Sequence, residues 1–253
     1  MDAQAWGEVS WWINNIIHAF AYIRATPDID YIIHTDASKK FGGGWGASDG
    51  INDDINGRWA PEEQSLNINC LELKAIKLAL LSYAPLYPDK QHVRIMSDNT
   101  SAIAYINKKG GTHCMTMNDM AVNIWEFCIS LGMHISAAHI PGKHNILADV
   151  ASREFRDAAE WMISPHVFLD IVDKFGMPDI DLFASRLNHQ TPDYVSWLPD
   201  PGSKYIDAML IEWEGFIYLF PPFSMIWAVV CKMRHDEKIE KAVLVVPNWP
   251  TQS

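Results

Sequence analysis

Paired cysteines are missing from this sequence. Its four cysteines, Cys70, Cys114, Cys128 and Cys231, form no Cys-x-x-Cys pair, so neither a zinc ribbon nor a disulfide scaffold is expected. Thiols this sparse fit a reducing, intracellular compartment, cytoplasm or nucleus. No apolar run approaches the roughly 18–20 residues of a membrane span, so no membrane partner is expected. The first 30 residues lack a basic start followed by an apolar core, so no secretory signal is expected. Internal repeats and low-complexity stretches are also absent. Basic residues are in deficit: 20 Lys and Arg stand against 31 Asp and Glu, a net charge of −11. A module that coats duplex nucleic acid by charge alone should be basic, and this chain is not.

Apolar residues make up 49% and charged residues 20% of the 253 positions, the balance of a globular protein of one large or two modest domains. Residues 29–155 carry 11 basic and 14 acidic side chains; residues 156–253 carry 8 and 14. Nucleic-acid work is therefore expected in the first stretch. Three parts are expected: a helical segment over 1–28, a first α/β domain over 29–155, and a smaller α/β domain over 156–253.

The first part holds Trp6, Trp11, Trp12, Ile16, Ile17 and Phe20 and reads as a helix over 6–23 that packs on something, broken by Pro27 and Asp28. From Tyr31 the pattern turns to strands. Tyr31–Thr35 ends at Asp36. Three glycines force a turn, and Trp45-Gly46-Ala47 starts a second strand. Asn56-Gly57 and Arg58-Trp59-Ala60 suggest a third strand, and three consecutive strands with tight turns imply an antiparallel meander. Asn69 reads as the cap of an apolar helix that stops before Pro85. A strand over 92–96, helices near 102–106 and 117–131, a strand over 134–139 and a helix over 146–153 complete a β-β-β-α-β-α-α-β-α order. That order predicts a mixed five-stranded sheet with flanking helices. In the prolyl-rich second domain, the apolar runs 216–220 and 242–246 suit buried strands.

Four acids fall at element ends: Asp36, Glu72, Asp98 and Asp149. Strand ends far apart in sequence can meet in space. Acids gathered there would repel one another unless cations sat among them, and hard oxygen ligands select Mg²⁺ or Mn²⁺. Each acid taken alone is more often a turn or cap residue. Their surroundings change that balance.

Thr35-Asp36-Ala37-Ser38 with Gly43-Gly44-Trp45-Gly46, then Asn69-Cys70-Leu71-Glu72-Leu73, then Ser97-Asp98-Asn99, resemble the first three motifs of ribonuclease H domains. A fourth motif follows, from His139-Ile140-Pro141-Gly142-Lys143-His144-Asn145 through Asp149 to Ser152-Arg153. It resembles the ribonuclease H domains attached to retroelement reverse transcriptases. In the tail, Asp179-Ile180-Asp181-Leu182-Phe183, Phe220-Pro221-Pro222-Phe223 and Pro247-Asn248-Trp249-Pro250 narrow the likeness. The whole is similar to tyrosine-recombinase retrotransposons of the DIRS type, in which a region related to DNA adenine methyltransferase (Dam) follows ribonuclease H.

The resemblance implies a fold, an activity and a site. The fold is the ribonuclease H mixed sheet, followed by a degenerate methyltransferase-like domain. The activity is cutting the RNA strand of an RNA–DNA hybrid with two Mg²⁺ ions, or Mn²⁺. Asp36 would bridge both ions. Glu72 and Asp98 would hold the one near the leaving group, and Asp98 is also a candidate to orient the water. Asp149 would complete the site of the ion that activates the water. His139, ten residues before Asp149, would handle a proton or product release, with His144 as its neighbouring alternative. Asn99, Trp45, Lys39 and Lys40 are candidate contacts to nucleic acid, as are Lys108 and Lys109. Asn99 serves equally as a helix cap, and for Trp45 and Trp59 core packing is the favoured use. The polymerase signature Tyr-x-Asp-Asp does not occur, so a polymerase on another chain or elsewhere in a polyprotein is an expected partner. The methyltransferase motif places Asp or Asn before Pro-Pro, where this chain has Phe220. Phe220 cannot accept a bond from a base amino group, so methylation is not expected. Asp181 reads as a surface turn. Two other readings stand beside the nuclease: a non-catalytic hybrid-binding scaffold of a retroelement polyprotein, and, less favoured, an adenine methyltransferase.

Overall fold

A computed structural model of the chain describes residues 3–16, 28–39, 42–89, 92–155 and 161–248. Five strands make the first sheet: β1 (Tyr31–Ala37), β2 (Gly44–Ser48), β3 (Ile55–Arg58), β4 (His92–Ser97) and β5 (His134–His139). Their order is β3-β2-β1-β4-β5. β1, β2 and β3 pair antiparallel; β4 and β5 continue the sheet in parallel with β1. This is the mixed five-stranded α/β sheet of the ribonuclease H fold, with the two strands that end in acids, β1 and β4, side by side.

Helix α2 (Ile68–Tyr83) organises the core. It is apolar on nearly every side, so it must be covered all round. Leu71, Leu73, Ala75, Ile76, Leu78, Ala79 and Leu80 are all buried. They pack against the sheet on one side and against α3 (Thr100–Asn107) and α4 (Met115–Ser130) on the other. The cap of α2 is Asn67, whose Oδ1 accepts from Cys70 N at 3.0 Å, rather than the expected Asn69. Asn-x-Asn offered two candidates, and the chain turns extended at the first.

The third strand takes in Asn56 and Gly57 as expected, but ends at Arg58, short of Trp59 and Ala60. Asn56 and Gly57 lie opposite Gly46 and Trp45. The glycine is there for the indole: a Cβ on Gly57 would come 2.8 Å from Trp45 Nε1. The connection that turns β2 into β3 is built around Asp49, which accepts from Ile51 N and Asn52 N. Gly46 has a parallel reason. Helix α5 (Ile146–Ala151) lies directly on it, and a Cβ would fall 2.4 Å from Ser152 N and 2.5 Å from Ala148 O.

The expected first helix is α1 (Ala3–Asn15). Trp6, Trp12 and Ile13 on it, and Ile16 just past it, are exposed. Residues 17–27, the rest of the expected helix and its break, lie outside the described residues.

The second sheet is wholly parallel. Its strands are β6 (Ile180–Asp181), β7 (Asp193–Ser196), β8 (Tyr205–Ile206), β9 (Gly215–Leu219) and β10 (Ile239–Leu244), in the order β10-β9-β6-β7-β8. Helices α6 (Pro165–Phe175) and α7 (Ile226–His235) accompany it. Leu182, Val195, Trp213, Ile217, Leu219 and Val229 form its small core. Of the two expected buried strands, β9 is buried at Ile217, Tyr218 and Leu219, whereas β10 ends at Leu244 and is only partly covered.

One side chain ties the second sheet's residues to the first. The Arg186 guanidinium donates to Glu63 Oε1 at 3.0 Å, to Glu63 Oε2 at 3.1 Å and to the Arg58 carbonyl at 2.9 Å. Lys74 adds a second cation 3.1 Å from Glu63. Burial alone would raise the Glu63 pKa, but these partners hold it below the usual carboxylate range. A fork of this kind on a buried carboxylate is worth far more than a surface pair.

Two outcomes follow for stability. Gly46→Ala forces backbone against backbone and should cost about 3 kcal/mol or prevent folding, whereas Gly50→Ala, at φ +71° in open space, should cost only about 1 kcal/mol. Arg186→Ala leaves Glu63 with Lys74 alone and should cost about 2 kcal/mol. Urea denaturation read by tryptophan fluorescence checks both.

Candidate metal centre

Asp36, Glu72 and Asp98 meet. Ligand atoms of the three lie within 4.8 Å of one another. β1 brings Asp36 to the sheet's carboxyl edge, and β4 brings Asp98 there as the first residue past its end. Glu72 arrives from the sixth position of the capped N-terminus of α2, counting from Asn67, which rests on β1. Asp36 is 7% and Glu72 4% exposed, while Asp98 faces solvent. The group is thus open on one side and closed on the other.

Its electrostatics are unfavourable as it stands. Burial, then the charges of Asp36 and Asp98, push the Glu72 pKa up to about 9, against an opposing backbone N–H from Ala37. Burial also raises Asp36; Ser152 opposes the shift with a hydrogen bond, and Asp149 and Asp98 add to it. Glu72 Oε2 is buried and has no hydrogen-bond partner in the protein. A buried, unpartnered carboxylate oxygen beside two further carboxylates fits a divalent cation of hard-oxygen preference, Mg²⁺ or Mn²⁺.

The fourth acid stands apart. Asp149, on α5, is outside the three-residue group, although its charge is felt at Asp36. It is ion-paired with Arg153, one helical turn on. His139 closes β5, is exposed, and sits in register with Ser97, the neighbour of Asp98. The following loop also touches that acid: a Cβ on Gly142 would come 2.9 Å from Asp98 Oδ2. His144 is exposed in a short turn of the same loop.

Two residues of the fourth motif had no assigned role, and the structure gives them one. Asn145 is buried, and its Nδ2 donates to the Thr35 carbonyl at 2.9 Å, fastening the loop to β1. Ser152 is fully buried, and its Oγ donates to Asp36 Oδ2 at 2.6 Å. A polar residue on each side of the acid in a helix of apolar neighbours was the available signal.

The expected contacts to nucleic acid fare less well. Trp45 is corrected: at 1% exposure, beneath β3, it is core and has no face to offer a base. Trp59 is also core, its Nε1 donating to the Ser38 carbonyl at 2.8 Å. Asn99 caps α3 through its Oδ1, and its Nδ2 donates to Asn69 Oδ1, so both ends of its amide are engaged. Lys39 is exposed just beyond β1, and Lys40 lies outside the described residues. Lys108 is exposed, and Lys109 Nζ lies 4.9 Å from the centre of the Trp125 ring.

In the second sheet Asp181 is corrected from surface turn to buried group, 2% exposed. Its two oxygens accept from Phe183 N and Gln190 N, which makes it a brace between loops, and burial pushes its pKa up to about 6. Phe220-Pro221-Pro222 follows β9 directly, at the same carboxyl edge. A cavity of about 350 Å³ opens there, lined by Phe183, Trp197, Pro222, Met225 and, from the first sheet, Arg58.

The raised Glu72 pKa fixes the sign of a pH effect. A carboxyl that holds its proton more tightly when folded loses stability as pH climbs from its unfolded value, near 4.5, to about 9. In EDTA the melting temperature should therefore fall from pH 5 to pH 9. Glu72→Gln should flatten the fall and raise stability at pH 8, and saturating Mg²⁺ should offset it. Calorimetry across that range checks the sign.

No protein-family model matches the chain, and no curated relative does. Among solved structures, the chain is similar to a ribonuclease H1 from the halophilic archaeon Halobacterium salinarum, at 16% identity and TM-score 0.39 over 48% of this chain and 93% of that one. A second is LC11-RNase H1 in complex with an RNA/DNA hybrid, at 16% identity and TM-score 0.41 over 48% and 93%. A third is an N-terminal ribonuclease H domain from Mycobacterium tuberculosis, at 14% identity and TM-score 0.35 over 48% and 94%. Each of these likenesses spans about half of this chain.

Proposed function

We propose that the chain is a metal-dependent endoribonuclease that cuts the RNA strand of RNA–DNA hybrids. The observation that carries the reading is the unpartnered, buried Glu72 Oε2 facing Asp36 and Asp98. Three carboxylates so placed destabilise the bare protein, and a cation relieves them.

Asp36, Glu72 and Asp98 would hold the first of two Mg²⁺ or Mn²⁺ ions, and Asp36 with Asp149 the second. Divalent cations there supply charge neutralisation on both the attacking and leaving sides of an in-line displacement at phosphorus. Asp149, now paired with Arg153, would complete the site of the second ion. His139, exposed beside Asp98, is placed to pass a proton to solvent or to the departing 3′-oxygen. The scissile strand enters from the open side, where Asp98 and Lys39 face solvent. A 2′-hydroxyl marks that strand as RNA. The products are a 3′-hydroxyl and a 5′-phosphate.

We assign the chain to the retroelement type, with the DIRS arrangement as the closer reading, on the fourth motif and the order of motifs in the tail. With a net charge of −11 the chain needs help to hold a hybrid, and a reverse-transcriptase polymerase is the partner of matching chemistry. We read the three parts as 1–28, 29–155 and 156–253, the last a Dam-related domain that does not methylate, since Phe220 offers no acceptor. No helix among the described residues is long and apolar enough to cross a membrane, and an intracellular setting suits the free thiols.

The test is an end-labelled RNA–DNA hybrid with and without Mg²⁺ or Mn²⁺, beside Asp98→Asn. Metal-dependent cutting of the RNA strand alone, lost in the variant, is the expected result. A hybrid that is bound but never cut would instead support the scaffold reading.

A further inference from the structure

We propose that Ser152 is a positioning residue of the metal centre, whose hydroxyl fixes the Asp36 carboxylate in the orientation that receives the cation. The inference deepens the nuclease reading and rests on it.

Asp36 lies near the end of a strand, with its carboxylate between two unlike environments. On one side are Glu72 and Asp98, both acids. On the other is α5, whose C-cap is Ser152. Ser152 Oγ is 2.6 Å from Asp36 Oδ2 and 3.0 Å from the Asp149 carbonyl. A hydroxyl has one proton to donate, and the shorter, charge-assisted bond to the carboxylate takes it. One oxygen of Asp36 is thereby held by α5, which fixes the carboxylate plane relative to Glu72 and Asp98. Without the anchor, repulsion from Glu72 and Asp98 would rotate the group outward.

The anchor is itself held on several sides. Ser152 is fully buried, its N donates to the Ala148 carbonyl at 2.9 Å, and its carbonyl accepts from Gly44 N at 3.2 Å. Gly46 lets this backbone lie against β2, where any Cβ would collide with Ser152 N. Asn56 Nδ2, on β3, donates to the Ala151 carbonyl at 3.0 Å and to that of Glu154 at 2.7 Å. The sheet thus places the serine from three strands, which is more fixing than a helix cap of six residues requires. The adjacent Arg153 meets Asp149 at an exposed pair, where an ion pair contributes little. The two carboxylates at this end of the site are therefore held unequally, Asp36 firmly and Asp149 loosely.

The experiment measures Mn²⁺ binding to the full chain by the electron paramagnetic resonance of the free ion, without substrate. Ser152→Ala should weaken the tighter Mn²⁺ site about tenfold, the size usual for losing a group that orients a metal ligand. It should raise the Mg²⁺ needed for half-maximal cutting in proportion, while cutting at saturating Mg²⁺ largely recovers. Ser152→Thr, which keeps the hydroxyl, should bind more tightly than Ser152→Ala. Ser152→Cys, of similar volume with a weak donor, should resemble Ser152→Ala. In an Asp36→Asn background, Ser152→Ala should add nothing. If Ser152→Ala fails to fold, as its melting curve would show, Ser152→Cys carries the comparison. Equal Mn²⁺ binding by wild type and a folded Ser152→Ala or Ser152→Cys overturns the positioning role and leaves the nuclease reading standing. Absence of Mn²⁺ binding by the wild type overturns both.

Discussion

Three carboxylates that cannot all be charged in comfort sit at the point on which the first half of the chain converges. Glu72 is the extreme case: closed in by α2 and β1, next to two acids, it keeps its proton to about pH 9 when no cation is present. Natural folds rarely bury such a group for stability alone. The neighbouring strands are parallel, so β1 and β4 end at the same edge and deliver Asp36 and Asp98 together. α2 is apolar all round and is wedged on the sheet, so Glu72 has no route out to water. The same elements that give the domain its core therefore create the electrostatic debt at its edge.

The arrangement explains why glycines stand in the second and third strands. Gly46 and Gly57 are where a helix and an indole come closer to the sheet than a side chain allows. α5 can then reach across β2 and present Ser152 to Asp36, while Asn145 fixes the incoming loop to β1. Glycine, asparagine and serine do distinct work here: clearance, fastening and aiming.

Much of this was legible in the residues. Strand and helix order followed from alternation and from the breaks at proline and glycine, and the four acids stood out because each fell at an element end. What was misread shares one cause, that local patterns do not report the third dimension. Asn67 and Asn69 are equivalent as caps until the backbone turns. Asp181 looks like a turn residue until two loop amides close on it.

The bond between Ser152 and Asp36 spans 116 positions of chain, and that between Asn145 and Thr35 spans 110. Contacts closing loops of this length carry the largest entropic penalty and form late in folding. The Asp36 carboxylate is therefore clasped only once the fourth motif is in place, and a ribosome must release that motif before the first can be aimed. A nascent chain halted at β5 would possess sheet, core and three of its acids, yet lack the clasp that orients them.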